Sequence, residues 1–501
     1  MPRPQRRFHT NSKKHKKVPE TADDFLAAGI EYEESGDRWR PGDKLKAGRF
    51  YVRAIEAYQA CLVRDPQAFD AAYNKARLHY QLAEQPNLLP NPTKELILRL
   101  LETALQEHHE CLTMNPQNDD TIFNTAQVHT SLAEFWIDSG QQTHIQQIRG
   151  HFSSAIDMFQ KCLASQQQQY DQFAGFGDLV PPPQVSSSSS QPMPDDSMDV
   201  DVDSEDEDTG GVSLGHHHGR QLPEESSESA TSPPTEYAHV VEPVTISTLL
   251  DTTMALIHVY TLAFPHVFDQ SELASTSATV EALLKERLEP LSKSLPERES
   301  DVCLALALLR CAQSEGQYRT AVSSLADWSQ TIASCSWPSP ATTSSLSAKA
   351  DAHTSISLAA LEAIPPDQMM AWKHYSFASA SLGEATKLEA TKAELYLARG
   401  DTDLMRSRLD GVEAAVKSRA VLRKNAGVYY RGAMKLGEGK IKIEGDVKDR
   451  MIKYEDGDET ALVGLDERVA RDVVADAVEE GVFGAEWMGR IGGGMDVGSD
   501  A

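Results

Sequence analysis

The sequence AIEAYQACLVRDP at residues 54–66 returns as ALQEHHECLTMNP at residues 104–116. In both copies an Ala is followed four residues later by a ring and seven residues later by a Cys. This spacing places the three side chains on one face of an α-helix. Each copy ends in Asp-Pro or Asn-Pro, which predicts a helix end and a turn. A third copy, AIDMFQKCLASQQ, begins at Ala155 and lacks the final proline.

A second helix is predicted after each of the two turns. It reads FDAAYNKARLHYQL after Pro66 and DDTIFNTAQVHTSL after Pro116. Matching residues again lie 50 positions apart, as in the pairs Asn74 and Asn124, Ala76 and Ala126, and His79 and His129. A constant offset over two helices predicts one helix-turn-helix unit repeated in register.

The repeated unit resembles the tetratricopeptide repeat, a pair of antiparallel helices with small residues and rings at fixed places. The residues that carry the resemblance are Gly29, Tyr32, Ala54, Tyr58, Cys61 and Pro66 in the first unit, Ala76, His79, Ala104, His108, Cys111 and Pro116 in the second, and Ala126, His129, Ala155, Phe159 and Cys162 in the third. The resemblance implies helices packed closely through small residues and rings. The units are longer than those of the family, because extra residues such as 37–48 and 84–95 stand between the helices.

Two weaker copies of the pattern occur later in the chain. Gly316, Tyr318, Ala321 and Leu325 fit a turn and the start of a second helix, whereas Ala393, Tyr396, Gly400 and Asp401 fit the end of a first helix and its turn. The resemblance is therefore clear over residues 22–165 and diffuse over residues 244–436.

We accordingly predict an all-α fold, a solenoid of tetratricopeptide type in two helical blocks separated by an acidic, disordered linker. The predicted regions are a basic disordered tail at 1–20, helical repeats at 21–165, a linker rich in acids, Ser, Pro and Gln at 166–243, a second helical block at 244–436, and an acidic, partly disordered C-terminal region at 437–501 with a short helix near 466–480. The linker is predicted from its composition, since its Gln, Pro and Ser runs have no apolar period.

Composition and charge limit the classes of partner. The chain of 501 residues has a formal net charge of −27, which repels phosphate and attracts basic proteins. We therefore expect nucleic acid to be an unlikely ligand except through the basic N-terminal tail, and we expect no membrane segment. Six cysteines and the lack of an apolar leader at the N-terminus predict a reducing compartment, the cytoplasm and/or the nucleus.

The resemblance also implies a binding site, because the first helix of each tetratricopeptide unit lines a groove for a partner's extended segment. The contact candidates by resemblance are Tyr73, Asn74, Arg77 and Tyr80 in the second unit and Phe123, Asn124, Gln127 and Thr130 in the third. An Asn amide both donates to and accepts from a peptide backbone. The alternative is that Asn74 and Asn124 only satisfy hydrogen bonds within their own repeats.

A site for the C-terminal carboxylate of heat-shock chaperones is not expected. Family members with that site hold the carboxylate with Lys, Asn and Arg side chains of the first helices. The matching positions here are Asp23, Ala27, Asn74, Asp120 and Asn124, of which one of the five agrees. The two aspartates would repel a carboxylate, so we expect no carboxylate clamp.

Two charged segments outside the repeats allow functional interpretations of their own. A nuclear-import signal is one interpretation of the basic cluster Arg6, Arg7, Lys13, Lys14, Lys16 and Lys17. The alternatives are that this tail contacts RNA or the ribosome, or folds back on the acidic linker. The run at 195–208 contains nine acids in fourteen residues. It is either a solvated spacer or a surface that shields a basic client.

No pattern typical of an enzyme is present in the sequence. It contains no GxSxG, phosphate-binding or dinucleotide-binding motif, and we expect no cofactor and no metal site. The repeat cysteines, with Cys303 and Cys311, are predicted to be core residues. The predicted function is a non-catalytic scaffold or adaptor that binds an extended segment of a protein partner. The alternative is an acidic assembly chaperone for a basic ribosomal or nuclear protein.

Overall fold

The structure, a computed structural model, describes residues 18–139, 144–176, 243–266 and 268–492, without the side chains of 173–176 and 491–492. Its regular elements are helices, and no β-strand occurs in these residues. The prediction of an all-α fold in two helical blocks is therefore confirmed. The predicted tail at 1–17, most of the linker and residues 493–501 lie outside the described residues.

The helices of the N-terminal block are α1 (Ala22–Trp39), α2 (Lys44–Arg64), α3 (Phe69–Glu84), α4 (Lys94–Met114), α5 (Asp119–Asp138) and α6 (Ile145–Phe176). Those after residue 243 are α7 (Ile246–Ala263), α8 (Gln270–Leu283), α9 (Glu289–Ser294), α10 (Glu299–Arg319), α11 (Leu325–Ser334), α12 (Thr343–Glu362), α13 (Gln368–Leu388), α14 (Ala393–Ser407), α15 (Glu413–Leu436), α16 (Gly439–Glu455), α17 (Glu467–Glu479) and α18 (Glu486–Gly492). A π-helical stretch, Leu284–Leu288, joins α8 to α9.

Side-chain caps define where several of these helices begin. Thr21 accepts from the backbone N–H of Asp24 in a capping box, Thr93 caps α4 and Asn118 caps α5. The turns after α2 and α4 are built alike, because Asp65 and Asn115 each accept from the backbone two residues on. The turns predicted from the Asp-Pro and Asn-Pro pairs are thus confirmed.

The repeated positions form the interior of the N-terminal hairpins. Each of the following is at most 1% exposed: Ala54, Tyr58, Cys61, Ala76, Ala104, His108, Cys111, Ala126, Ala155, Phe159 and Cys162. The sequence pattern was therefore a packing pattern, with small residues and rings on one buried face of each helix.

The extra residues between the paired helices mostly lengthen helices. Only residues 40–43 separate α1 from α2, and the second insertion forms a single 3₁₀ turn, Pro86–Leu88, before α4. The two insertions pack together at Gly48, where an added Cβ would lie 1.8 Å from the carbonyl oxygen of Leu88. Glycine at this position permits the close approach of the two backbones.

The two helical blocks share one hydrophobic core, although a long segment separates them in sequence. Ala126 and Phe159 of the first block pack in the same cluster as Leu250 and Ile257 of α7. Residues 18–170 and 244–492 accordingly belong to one compact unit. α7 is the one described helix long and apolar enough to cross a membrane, but half of it is buried in this core.

Two boundaries differ from the predictions, and one predicted helix is present. α6 continues to Phe176, past the predicted linker start at 166, because the Gln-rich segment extends an already packed helix. The second block continues beyond 436, since Met451, Val473 and Trp487 belong to the same core as α14 and α15. The short helix predicted near 466–480 is present as α17.

The two weaker copies have different outcomes. In the first, Gly316 and Tyr318 lie inside α10 instead of in a turn. The chain turns only after Arg319, where Ala321 has a φ of 58°, and α11 begins at Leu325. The turn predicted at Gly400 and Asp401 is wrong, because both residues lie inside α14. Gly400 is needed there for packing, since an added Cβ would lie 2.4 Å from the ring of Tyr430.

Candidate functional site

The first helices of the N-terminal hairpins, α1, α3 and α5, are joined directly by polar side chains along one surface. We call this surface the A-helix face. Arg77 of α3 forms an ion pair with Glu33 of α1. Asn124 of α5 donates from Nδ2 to the hydroxyl of Tyr73 at 2.9 Å. These bonds connect successive repeats rather than the two helices of one hairpin.

Farther along the same surface, the hydroxyls of Tyr80 and Ser131 lie 3.1 Å apart and join α3 to α5 again. Glu134 lies one turn beyond and reaches His258 of α7, with 3.7 Å between Oε1 and Nε2. The A-helix face is therefore held in a fixed arrangement from α1 to α7, as a preorganised binding surface requires.

Four of the eight predicted contact residues, Tyr73, Arg77, Tyr80 and Asn124, take part in these bonds between repeats. Asn74 and Gln127 are half-buried on the same helices. The side chain of Asn74 hydrogen-bonds with the hydroxyl of Tyr58, an interaction that works against the rise in pKa that burial causes in this tyrosine.

The other two predicted contact residues do not face outward. Thr130 is 2% exposed and donates to the carbonyl oxygen of Ala126 in its own helix. The ring of Phe123 packs edge-on against Phe159 of α6, with 5.3 Å between ring centroids. Both side chains therefore have contacts within the fold, because α6 and α7 pack against this part of α5.

Carboxylates border the end of the A-helix face where α3 and α5 finish. Glu84 and Asp138 are exposed to solvent, and neither forms an ion pair within the described residues. The surrounding protein raises the pKa of Glu84, and the charge of Glu134 adds to this effect. The pKa of Asp138 is raised by burial and by the charges of Glu134 and of Glu479 in α17, against the opposing charge of Lys94. The surface therefore carries negative charges that repel one another.

An open cleft of about 1290 Å³ adjoins these carboxylates. Its walls are Asp138, Phe135 and the two insertions, together with the segments around Lys392 and around Leu436–Ile441. On its C-terminal side Asp476 bonds Lys440 at 3.1 Å and Lys94 at 3.4 Å. The insertions that lengthen the N-terminal repeats thus form one wall of this cleft.

A second carboxylate cluster has the spacing of a cation site but is filled by a side chain. Oxygens of Asp401, Glu444 and Glu480 lie within 4.8 Å of one another. The Nζ of Lys448, which is 1% exposed, lies 3.1, 2.8 and 3.5 Å from them. Burial alone would lower the pKa of Lys448, but the three carboxylates outweigh it and raise that pKa. The ammonium group therefore stays charged and offsets part of the negative charge of the cluster.

Two predicted segments have no structural description. The basic cluster at Arg6, Arg7, Lys13, Lys14, Lys16 and Lys17 and the acidic run at 195–208 lie outside the described residues. The clamp positions Asp23, Ala27 and Asp120 are exposed.

Comparison with known proteins assigns no activity. No protein-family model matches the sequence. The chain is similar to a Schizosaccharomyces pombe protein described as UPF0656 protein C926.02, with 38% identity over 93 residues, or 19% of this chain and 20% of the relative. It is also similar to YNL193W of Saccharomyces cerevisiae, described as uncharacterized, with 36% identity over 80 residues, or 15% of this chain and 14% of the relative. The chain thus matches a fifth or less of the length of these relatives.

The acidic border was missed at the level of sequence although a signal for it was present. Glu84 and Glu134 lie 50 positions apart, the same offset as Asn74 and Asn124. Such repeated carboxylates at the ends of first helices could have been recognised as a shared surface. Asp138 has no matching carboxylate at this offset of 50 positions. Its nearby Glu479 is distant in sequence, so the sequence does not indicate that the two are close.

Proposed function

We propose that this chain is a non-catalytic binding protein of tetratricopeptide type that holds an extended, Lys- and Arg-rich segment of a protein partner on the A-helix face. The observation that carries the proposal is the border of Glu84, Glu134 and Asp138. Within the described residues Glu84 and Asp138 form no ion pair, and Glu134 has only His258 within reach, at 3.7 Å. A cationic side chain placed there would relieve the repulsion between these carboxylates.

The bonds between repeats support the choice of a protein segment as ligand. Tyr73, Tyr80 and Asn124 are held by their partners, so a ligand would meet a rigid surface and lose little of its binding energy to ordering that surface. Tyrosine rings offer apolar contact area, while the half-buried amides of Asn74 and Gln127 offer both donors and acceptors. This combination suits an extended backbone with long basic side chains.

The adjoining cleft supports an extended partner rather than a compact one. It continues from Asp138 along the insertions, so a chain lying on the A-helix face has a path to follow beyond α5. Its walls include both carboxylates and lysines, for example Glu394 and Lys94. A partner with alternating charge therefore fits this stretch better than a uniformly basic one.

The charge variants of the border test the proposal directly. Full-length tagged protein would be used for affinity capture and mass spectrometry at two salt concentrations, with the double variant Glu84→Gln/Asp138→Asn compared with wild type. We expect capture of basic partners to fall about tenfold, because two unit charges are removed from the contact surface. The same partners should be lost from wild type at about 0.5 M salt, since screening shortens the reach of exposed charges.

The matched control for these variants is Glu102→Gln/Glu110→Gln. Both residues are exposed on α4, a second helix, and the charge change is identical. Circular dichroism should be unchanged for both double variants. Equal capture by the two double variants would reject the A-helix face as the binding surface.

The acidic assembly chaperone is the second candidate, and the acidic run at 195–208 favours it. Such a chaperone would shield a basic ribosomal or nuclear client with this run as well as with the A-helix face. Deletion of 195–208 separates the two candidates. A steep loss of basic clients supports shielding, whereas unchanged capture supports a scaffold that uses the helical surface alone.

Localisation in the cytoplasm and/or the nucleus is part of the proposal. Replacing Arg6, Arg7, Lys13, Lys14, Lys16 and Lys17 by Ala in a fluorescent fusion tests the nuclear component. Loss of nuclear signal supports an import role for the tail, and an unchanged distribution rejects it.

A further inference from the structure

Two cysteines from neighbouring helices meet at the edge of the C-terminal block. Cys311 lies in α10, and Cys335 is the residue that ends α11. Their Sγ atoms are 4.0 Å apart. A disulfide requires about 2 Å between sulfurs, so a shift of about 2 Å would allow the bond to form. Cys335 has an extended backbone and begins the non-helical segment 335–342, which leaves it freer to move than a residue inside a helix.

The two thiols differ in exposure to solvent and in the direction of their pKa shifts. Cys311 is buried, whereas Cys335 is half-buried and lines an open cleft of about 570 Å³ together with Arg310. The hydrogen bond from Cys311 and the charge of Arg310 lower the pKa of Cys335. The pKa of Cys311 is raised by the same hydrogen bond and by burial. Cys335 is therefore the more acidic and more accessible thiol of the pair, and Cys311 is the thiol behind it.

A third cysteine lines the same cleft but lacks these features. Cys303 is half-buried, and its Sγ contacts the carbonyl oxygen of Ser336 at 3.5 Å. Burial and the charge of Glu299 raise the pKa of its thiol. It therefore provides an internal reference of similar exposure and lower reactivity.

We propose that Cys311 and Cys335 form a reversible oxidation site that reacts with a hydroperoxide, such as hydrogen peroxide, entering through this cleft. The Cys335 thiolate attacks one peroxide oxygen, the O–O bond breaks, and the departing hydroxide takes a proton to become water. This step leaves a sulfenic acid on Cys335. The sulfur of Cys311 then attacks the sulfur of Cys335 and releases hydroxide, which takes up the proton of the Cys311 thiol and leaves as water. Two thiols and one peroxide thus yield one disulfide and two waters, and a dithiol reductant reverses the change.

Oxidation would alter the packing of the loop that Cys335 begins. Both cysteines contact the cluster that contains Trp328 and Trp337. A new covalent bond from α10 to the end of α11 would draw residues 335–342 towards Cys311. Tryptophan fluorescence therefore offers a signal for the reaction besides the chemical analysis.

Peptide mapping of the full-length protein tests the proposal. Trypsin cuts after Arg298, Arg310, Arg319 and Lys349, so Cys303, Cys311 and Cys335 fall in three separate peptides. After treatment with hydrogen peroxide, we expect a peptide pair that joins 311–319 to 320–349 and that disappears on reduction. Cys335 should react at least about tenfold faster than Cys303, because Cys311 and Arg310 lower the pKa of its thiol whereas burial and Glu299 raise that of Cys303.

Variants distinguish the proposed chemistry from general oxidation. Cys303→Ser should form the disulfide at the wild-type rate. Cys311→Ser, or Cys311→Ala if the serine variant is unstable, should accumulate a sulfenic acid on Cys335 that dimedone traps. Oxidation of Cys335 and Cys303 at equal rates, a disulfide involving Cys303, or a Cys335 that stays reduced would each overturn the proposal.

Discussion

The hairpin α1–α2 near the N-terminus and the hairpin α14–α15 near the C-terminus have the same contact at their centre. In each, a tyrosine of the second helix packs on a glycine of the first. An added Cβ on Gly29 would lie 2.4 Å from the ring of Tyr58, and one on Gly400 would lie 2.4 Å from the ring of Tyr430. The tyrosine hydroxyl then donates to a carboxylate of the first helix, Glu33 or Asp401. The two hairpins are therefore versions of one packing unit.

The two hairpins differ in how the carboxylate is neutralised. Glu33 pairs with Arg77 of α3, whose side chain is 33% exposed, whereas Asp401 pairs with Lys448 of α16, which is 1% exposed. In both cases the cation comes from a later first helix. The N-terminal version stands at a surface that a ligand can reach, and the C-terminal version is closed. One packing unit is thus open to solvent in one place and closed in another.

Removing the cation should affect the two hairpins very unequally. We expect Lys448→Met to lower the free energy of unfolding by about 3–5 kcal/mol, because Asp401, Glu444 and Glu480 would lose their shared counter-charge in a buried place. Arg77→Met should cost less, about 1 kcal/mol, because Arg77 is itself one-third exposed and the hydroxyl of Tyr58 still donates to the single carboxylate left behind, Glu33. Urea denaturation of the two variants measures the difference. Equal decreases in the free energy of unfolding would contradict the proposed difference in burial between the two ion pairs.

Alanine at the two glycines tests whether the shared contact is real. Gly29→Ala and Gly400→Ala should each destabilise the protein by about 1–3 kcal/mol, because the new methyl group overlaps a packed ring. Gly150 and Gly383 are matched controls, since an added Cβ there meets nothing within 4 Å. Their alanine variants should gain up to about 1 kcal/mol from higher helix propensity. A stabilising Gly29→Ala would disprove the contact in the N-terminal hairpin.

A second resemblance between the blocks concerns paired histidines. The Nδ1 atoms of His129 and His151 are 2.9 Å apart, as are those of His353 and His374. Burial lowers the pKa of His129 and of His353 to about 3, and the partner histidine adds to each shift. Burial, together with the nearby charge of Lys373, lowers the pKa of His374 to about 4. Each pair is therefore stable when both rings are neutral and the Nδ1–H of one ring donates to the Nδ1 of the other.

These shifts predict acid destabilisation with a definite sign. Below pH 6.5 the histidines of the unfolded chain bind protons, whereas these buried histidines of the folded protein stay neutral. Their contribution to the free energy of unfolding therefore falls as the pH decreases from 6.5 towards 4, and it is constant above pH 6.5. The expected loss is on the order of 1 kcal/mol per pH unit for each strongly shifted histidine. Unfolding curves between pH 7 and pH 4.5 measure it. The variant His353→Gln/His374→Gln should show a shallower dependence, and an unchanged slope would contradict the assignment.

The sequence predicted the hairpins where local signals agreed with packing. Cys61 and Cys111 were assigned to the core from their spacing, and both are buried. Gly400 was misassigned to a turn because a glycine before an acidic residue is typical of a helix end, whereas its packing against Tyr430 depends on a helix that follows later. In the same way, the groove candidates lie on the predicted helices, but the bond from Asn124 to Tyr73 depends on how two repeats stack. Stacking geometry is a tertiary property that periodicity does not specify.

The smallest expected change in stability concerns Asn124, whose amide either contacts the partner or only forms hydrogen bonds between the repeats. Its Nδ2 donates to Tyr73, so Tyr73→Phe should cost about 0.5–1.5 kcal/mol of stability, the value of one hydrogen bond. Asn124→Ala removes the same bond and should cost a similar amount, and the double variant should cost no more than either alone. If the amide only joins the two repeats, Tyr73→Phe and Asn124→Ala should reduce partner capture equally. If the amide also contacts the partner, Asn124→Ala should reduce capture further at the same stability, because only this variant removes a group that the ligand can bind.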